Sequence, residues 1–317
     1  MASHVRFVWL IVPAVVAFAT ARADDPAARA VAFQASDGLL LSADYYQPDR
    51  KEPPAPVAIL LHGHGQDRSC WGPVIKPLRA AGFAVLCVDL RGHGESRTEA
   101  TVNRMADRDP GVAADLHRDL RAAYDWITTQ PEVDRARLAL IGADLGGAAA
   151  LRYATRDRSV DCIVCLTPAL ETMGIDTRSD VPKLRGRDVL LVSARSDAEA
   201  SAASSELVKL APKIRTHTSD AAGRGAGLLA GDPHLAARIA DFVRNAVGKP
   251  SRNIVVGTID NHVYHLPGSG WIERMNPSNV RLYSSPQEAE SRGVRRSFSP
   301  GPTGKDAEPP PPKGKRP

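Results

Sequence analysis

The chemistry of this 317-residue chain centres on Leu138–Leu151, LALIGADLGGAAAL. An apolar run leads into Gly142-x-Asp144-x-Gly146, and an alanine-rich run follows. Small residues on both sides of a carboxylate, between strand-like and helix-like sequence, predict a tight turn with Asp144 at a helix N-terminus. The helix dipole and its free amides favour an anion there. Two more charged residues stand at later strand ends: Asp197 in LLVSARSDAEAS and Arg224 in AGRGAG. Arginine keeps its proton in proteins, so Arg224 cannot act as a general base. His62, His64 and His93 lie in the glycine-rich loops LLHGHG and RGHGES, where turn geometry and hydrogen bonding are the ordinary roles of histidine. His217, inside a strand pattern, and His234, near a helix start, read as structural or surface residues.

The elements that must carry these residues alternate. VAFQAS and LLLSADYYQP flank the turn dipeptide Asp37-Gly38, a hairpin signal. PVAILLHG is a continuous apolar run ending in glycine, as expected of a strand buried on both faces. Helix-like WGPVIKPLRAAG, strand-like FAVLCVDL and a loop over residues 91–111 come next. VAADLHRDLRAAYDWITTQ has apolar positions at helical spacing and stops before Pro131. Further strands are ARLALIGA, VDCIVCLTP, DVLLVSA and KIRTHTSD. DPHLAARIADFVRNAVG is the last helix, with Asp232 as N-cap and Pro233 at its first position. Alternation after an opening hairpin predicts an α/β fold with a mostly parallel central sheet between helix layers.

Composition bounds the rest. The first 23 residues, MASHVRFVWLIVPAVVAFATARA, combine an early Arg6, an apolar stretch and Ala21-Arg22-Ala23, the layout of a secretory signal peptide. The stretch is short of the about 20 residues that span a bilayer. The mature protein is expected to be exported, periplasmic or extracellular, beginning near Asp24. Cys162 and Cys165 sit three apart in one strand pattern, about 10 Å, too far for a disulfide limited to about 7 Å. With Cys87 they read as buried small hydrophobes. The net charge of +5 belongs to the ends: Arg6 and Arg22 in the leader, and ten basic against six acidic side chains in residues 251–317. The near-neutral stretch between them implies no nucleic-acid partner.

Residues 31–247 resemble the α/β-hydrolase superfamily, closest to its small dienelactone-hydrolase and serine-peptidase-like members. LLHGHG (60–65) looks like its HGxG turn, DLRGHGES (89–96) like its next strand-end loop, and IGADLGG like its nucleophile elbow. In that order and spacing these are strong for the fold and not for activity. The resemblance implies a nucleophile at 144, an acid at Asp197 and a base at 224. It implies oxyanion donors in the backbone amides of Leu145 and a residue near His64. The family's serine is here Asp144, and its histidine, read in His-Gly, is here Arg224-Gly225. Members with Asp on the elbow, haloalkane dehalogenases and epoxide hydrolases, still need the histidine and usually carry a helical cap. Only ALETMGIDTRSDVPKLRGR stands in the cap's place. Replacing Ser–His by Asp–Arg predicts a carboxylate–guanidinium pair, with Asp197 on the other side of Arg224, a catalytic triad turned into a structural ion triad.

GKPSRN (248–253) is a linker pattern, which leaves residues 24–248 as the hydrolase-like domain. Residues 253–300 resemble the small Ada-type metal-binding domain, keeping Tyr264, His265, Pro267, Asn279, Ser285, Glu288, Ala289 and Gly293. Its cysteine positions are Ser269, Ser297 and Pro300 here, so the resemblance implies no metal: structural zinc wants four Cys or His ligands. Residues 301–317, proline-rich and basic, predict a disordered tail, a candidate for weak contact with an anionic surface. No cofactor is expected. The leading expectation is an exported, catalytically silent α/β-hydrolase-fold protein acting in binding or assembly with a small molecule or protein. The competing one is an active hydrolase, of ester or carbon-halide/epoxide type, that uses Asp144.

Overall fold

The computed structural model describes residues 28–49, 54–184, 186–247, 255–265, 271, 275, 279–283 and 286–297. The leader, the linker, the tail, and Pro267, Ser269, Ser285 and Pro300 lie outside those residues.

Strands β1 (Ala28–Gln34) and β2 (Leu40–Tyr46) pair antiparallel around the Asp37-Gly38 turn, where Gly38 has φ +88°. Then come β3 (Ala55–Leu61), α1 (Gly72–Ala80), β4 (Ala84–Val88), α2 (Glu99–Ala106) and α3 (Pro110–Ile127). The elbow joins β5 (Val133–Ala143) to α4 (Leu145–Arg156), followed by β6 (Val160–Leu166). After β6, among the described residues, stand a two-residue-strand hairpin, β7 (Glu171–Thr172) and β8 (Ile175–Asp176), the one-turn α5 (Thr177–Asp180) and a 3-10 turn at Val181–Lys183. The sheet is completed by β9 (Asp188–Ala194), α6 (Ala198–Leu210) and β10 (Arg215–Ser219), and the layer by α7 (Leu228–Gly231) and α8 (Leu235–Ala246).

Eight strands form one sheet in the order β1-β2-β4-β3-β5-β6-β9-β10, parallel from β4 to β10 and antiparallel at β1 and β2. Apolar clusters fill both faces. Along β3, Val57, Ile59 and Leu61 enter one core and Ala58 and Leu60 the other. A strand covered on both sides has no polar face, which is why its sequence does not alternate. The first core takes Leu116 and Leu120 from α3 and Leu151 from α4, the second Val74 and Leu78 from α1 and Ile239 from α8. Cys165 belongs to the first core and Cys162 to the second, so their thiols point to opposite faces; all four cysteines are free.

Two local expectations change. The segment 91–111, expected to be loop, contains α2. There the Thr98 hydroxyl accepts the Thr101 amide at 3.2 Å and the Thr101 hydroxyl accepts the Thr98 amide at 2.8 Å. This reciprocal capping starts a helix in polar sequence. The last helix begins at Leu235, not at Pro233, because Asp232 closes α7. Asp232 still caps α8 from upstream, its Oδ1 accepting the His234 and Leu235 amides at 3.0 and 3.1 Å.

The C-terminal module is a four-stranded sheet in the order β13-β11-β12-β14, from β11 (Val255–Thr258), β12 (Val263–His265), β13 (Val280–Tyr283) and β14 (Arg295–Arg296), with α9 (Pro286–Ser291). Its core is Val255, Tyr264, Tyr283, Ala289 and Val294. Asn279 Oδ1 accepts the amides of Ile259 and Asp260, both at 2.9 Å, and so sets the turn between β11 and β12. The module rests on the main sheet, with β13 against β5 and Arg292 paired with Asp161. Among the described residues no group of three or more His, Cys, Asp or Glu side chains could hold a metal ion.

Candidate active site

Asp144 stands between β5 and α4 with φ 48° and ψ −115°, a left-handed conformation that costs a non-glycine residue about 1–3 kcal/mol. The chain holds it there because the neighbours are small. A Cβ at Gly146 would collide with the carbonyl oxygens of Leu61 and His62, and one at Gly147 with Cys165 Sγ. Gly142 likewise has no room beside the first turn of α4. The Asp144 amide donates to Leu166 O at 2.9 Å, its carbonyl accepts the Ala148 amide at 3.0 Å, and its side chain is half-buried. That carboxylate makes no hydrogen bond or ion pair among the described residues, and it does not cap α4.

The turn after β3 packs beneath it: a Cβ at Gly63 would lie 3.2 Å from Asp144 Cβ. Two amides of this turn are occupied. Gly63 donates to Gln66 Oε1 at 3.2 Å and Gly65 to His93 Nε2 at 3.0 Å. The amides of His64 and Leu145 donate to no acceptor among the described residues, which leaves two free donors beside Asp144.

The loop histidines are bound into the scaffold. His62 Nε2 accepts the Leu90 amide at 3.0 Å, so its Nδ1 carries the proton and donates to Gly63 O at 2.8 Å. Burial pushes its pKa down to about 4. His93 accepts at Nε2, donates from Nδ1 to Arg91 O at 3.1 Å, and is also pushed down by burial. His93 packs edge-on against His62 and His64, and His64 Nε2 reaches Met105 O at 3.3 Å. Among the described residues no histidine contacts the Asp144 carboxylate. Behind the loop, Arg91 donates to Asp119 Oδ1 from Nε at 2.9 Å and Nη2 at 2.6 Å, pinning it to α3.

Arg224 turns toward Asp197. Its Nε lies 3.2 Å from Asp197 Oδ2, an ion pair without hydrogen-bond alignment, and its Nη1 lies 3.5 Å from Glu199 Oε2. No ion pair joins Arg224 to Asp144, so the expected ion triad reduces to Arg224 with two carboxylates. At 59% side-chain exposure this is a surface contact of small stabilising value. Asp197 also caps α6, its Oδ1 accepting the Ala200 amide at 3.0 Å. The Gly225 amide donates to Thr167 Oγ1 at 2.7 Å, which ties the Arg224-Gly225 turn to the end of β6.

Asp144, His64, Arg224 and Gly225 border one cavity of 480 Å³. Gln66, Arg108, Glu171, Thr172 and Glu199 also line it, and sequence reasoning missed them. Glu199 stands two residues after Asp197, and Glu171 lies in the short segment in the cap's place, so position was a usable signal for these two. Arg108, at φ 53° between α2 and α3, has no such signal. The cavity mixes three carboxylates with two guanidiniums and lies in the size range of small-molecule sites.

A family model described as the alpha/beta hydrolase family matches residues 58–277. An uncharacterized protein of Mycobacterium tuberculosis is 33% identical over 131 residues, 41% of this chain and 42% of that one. An uncharacterized 31.7 kDa protein of Escherichia coli is 32% identical over 130 residues, again 42% of its length. The match thus spans about two fifths of these curated relatives. Among solved structures, a dienelactone hydrolase from Anabaena variabilis superposes with TM-score 0.54 and 21% identity, over 69% of this chain and 95% of that one. A Pyrococcus furiosus esterase superposes with TM-score 0.58 and 18% identity, over 70% and 93%. At these identities the likeness is one of fold.

Proposed function

This chain belongs to the alpha/beta hydrolase family, and from that premise we propose that it is an exported, catalytically silent member whose elbow cavity serves binding. The observation that carries this reading is the direction of Arg224: the residue at the base position pairs with Asp197 and leaves Asp144 without a partner. Acyl transfer needs a nucleophile, a base that takes its proton and donors for the oxyanion. The His64 and Leu145 amides could act as donors, but an ionised Asp144 beside them would repel a developing oxyanion. An ester formed once on Asp144 would persist, because among the described residues no histidine lies against it to activate water. A cavity with charges of both signs suits a polar small molecule or the charged segment of a protein partner. The leader pattern in residues 1–23 supports export, which N-terminal sequencing of the secreted protein would check.

Turnover of p-nitrophenyl acetate and of a short haloalkane, by wild type and by the double variant Asp144→Ser/Arg224→His, tests the reading. Wild type is expected to give no multiple turnovers, and the double variant slow ester hydrolysis. Multiple turnovers by wild type overturn silence. They would favour an active hydrolase in which Asp144 works with a displaced histidine.

A further inference from the structure

A second cavity, of 360 Å³, opens at the far end of α4, where the C-terminal module meets the main sheet. With α4 twelve residues long, it lies about 18 Å from the elbow. Tyr124, Tyr153 and Tyr283 give it aromatic walls, and Arg281 enters it from β13. Arg281 is 8% exposed, yet its Nε and Nη2 have no hydrogen-bond partner among the described residues. The carboxylate it approaches, Asp157 Oδ1, is 3.9 Å from Nη1. Asp157 is already occupied: Oδ1 accepts the Ser159 amide at 2.7 Å and hydroxyl at 2.6 Å, and Oδ2 accepts the Tyr153 hydroxyl at 2.8 Å. A buried donor without an acceptor is destabilising, more so on a charged group.

The surroundings add positive charge. Arg156 and Arg158 border the cavity, and neither has a carboxylate partner among the described residues. Burial, and then the charges of Arg158 and Arg281, push the Arg187 guanidinium below its ordinary value. The end of α4 explains part of this, since a helix C-terminus favours a cation such as Arg156. Stacking on Tyr283, at 5.4 Å, explains where the Arg281 guanidinium lies. Neither explains two buried donors aimed at nothing.

We infer that the cleft between the hydrolase domain and the C-terminal module binds a small organic anion, a carboxylate or phosphate monoester received by Arg281, whose apolar ring body lies against the three tyrosines. Guanidinium provides paired donors for either head group.

Calorimetric titration of the full chain with 1-naphthoate, 1-naphthyl phosphate, inorganic phosphate and 1-naphthalenemethanol tests this. At least one ring-bearing anion is expected to bind one to one. Tighter binding of the naphthoate would identify the head group as carboxylate, and tighter binding of the naphthyl ester as phosphate. The neutral alcohol should bind at least tenfold more weakly. Arg281→Met should cost tenfold or more and Arg158→Gln severalfold. The inference is overturned if neither ring-bearing anion binds, whether or not inorganic phosphate does. Equal binding of the alcohol overturns it too, as does full affinity in a folded Arg281→Met protein. Should Arg281→Met not fold, undiminished affinity in Arg158→Gln, whose side chain is exposed, overturns it instead.

Discussion

His62 keeps in space the structural role that its glycine-rich loop predicts. It sits in an HGHG motif where both ring nitrogens are spent on Leu90 and Gly63, and burial pushes its pKa from 6.5 down to about 4. Below pH 6.5 the unfolded chain protonates this ring while the folded one does not, so protons favour unfolding. Stability attributable to His62 is present above pH 6.5 and lost as pH falls toward 4, by about 3 kcal/mol in all. Urea midpoints across that window should fall for wild type and follow a flatter line for His62→Asn. An imidazole titration showing His62 charged at pH 5.5 would contradict this account. Arg91 is the comparable case among charges. Arg91→Met leaves Asp119 buried and unpaired, and is expected to cost about 3–5 kcal/mol in chemical denaturation. Asp144 and Arg224 were legible as residue types, but not their separation, because that depends on which carboxylate a flexible arginine reaches.

At the scale of elements, the elbow is a packing problem solved by glycine. α4 begins directly over the carbonyl groups of Leu61 and His62, and no side chain fits at 146. Gly146→Ala should therefore destabilise by about 3 kcal/mol or shift α4 off the sheet. An unchanged melting temperature in that variant would show that the helix start has slack. The Gly-x-Asp-x-Gly pattern revealed this turn because close approach leaves a compositional mark. Helix α2 left a weaker one: its start rests on a two-threonine capping box within an otherwise polar stretch. Helix α6 was hidden differently, because Asp197, singled out for chemistry, is also its N-cap. One residue with two roles cannot be apportioned from sequence.

At the scale of the molecule, the main sheet carries a core on each face while the module's core has five residues among those described. Apolar burial of that size does not hold a domain alone. A chain ending at Val247 should keep its cooperative melt, whereas residues 253–300 expressed alone should lack the dispersed amide spectrum of a folded domain. A folded isolated module would reverse that expectation. Through the family resemblance the sequence set Asp144 and Arg224 where serine and histidine are expected; by itself it determined the eight strands of the main sheet, four of its helices, the mostly parallel pairing and the elbow turn. These are written in periodicity, glycine placement and residue type, which act over a few neighbours. Only the tertiary structure decided that Arg224 leaves Asp144 for Asp197, that Glu171 and Arg108 share the elbow cavity, and that Arg281 is buried with donors to spare. Those facts depend on distances between segments far apart in the chain, where side-chain reach and competing partners, not local propensity, set the outcome.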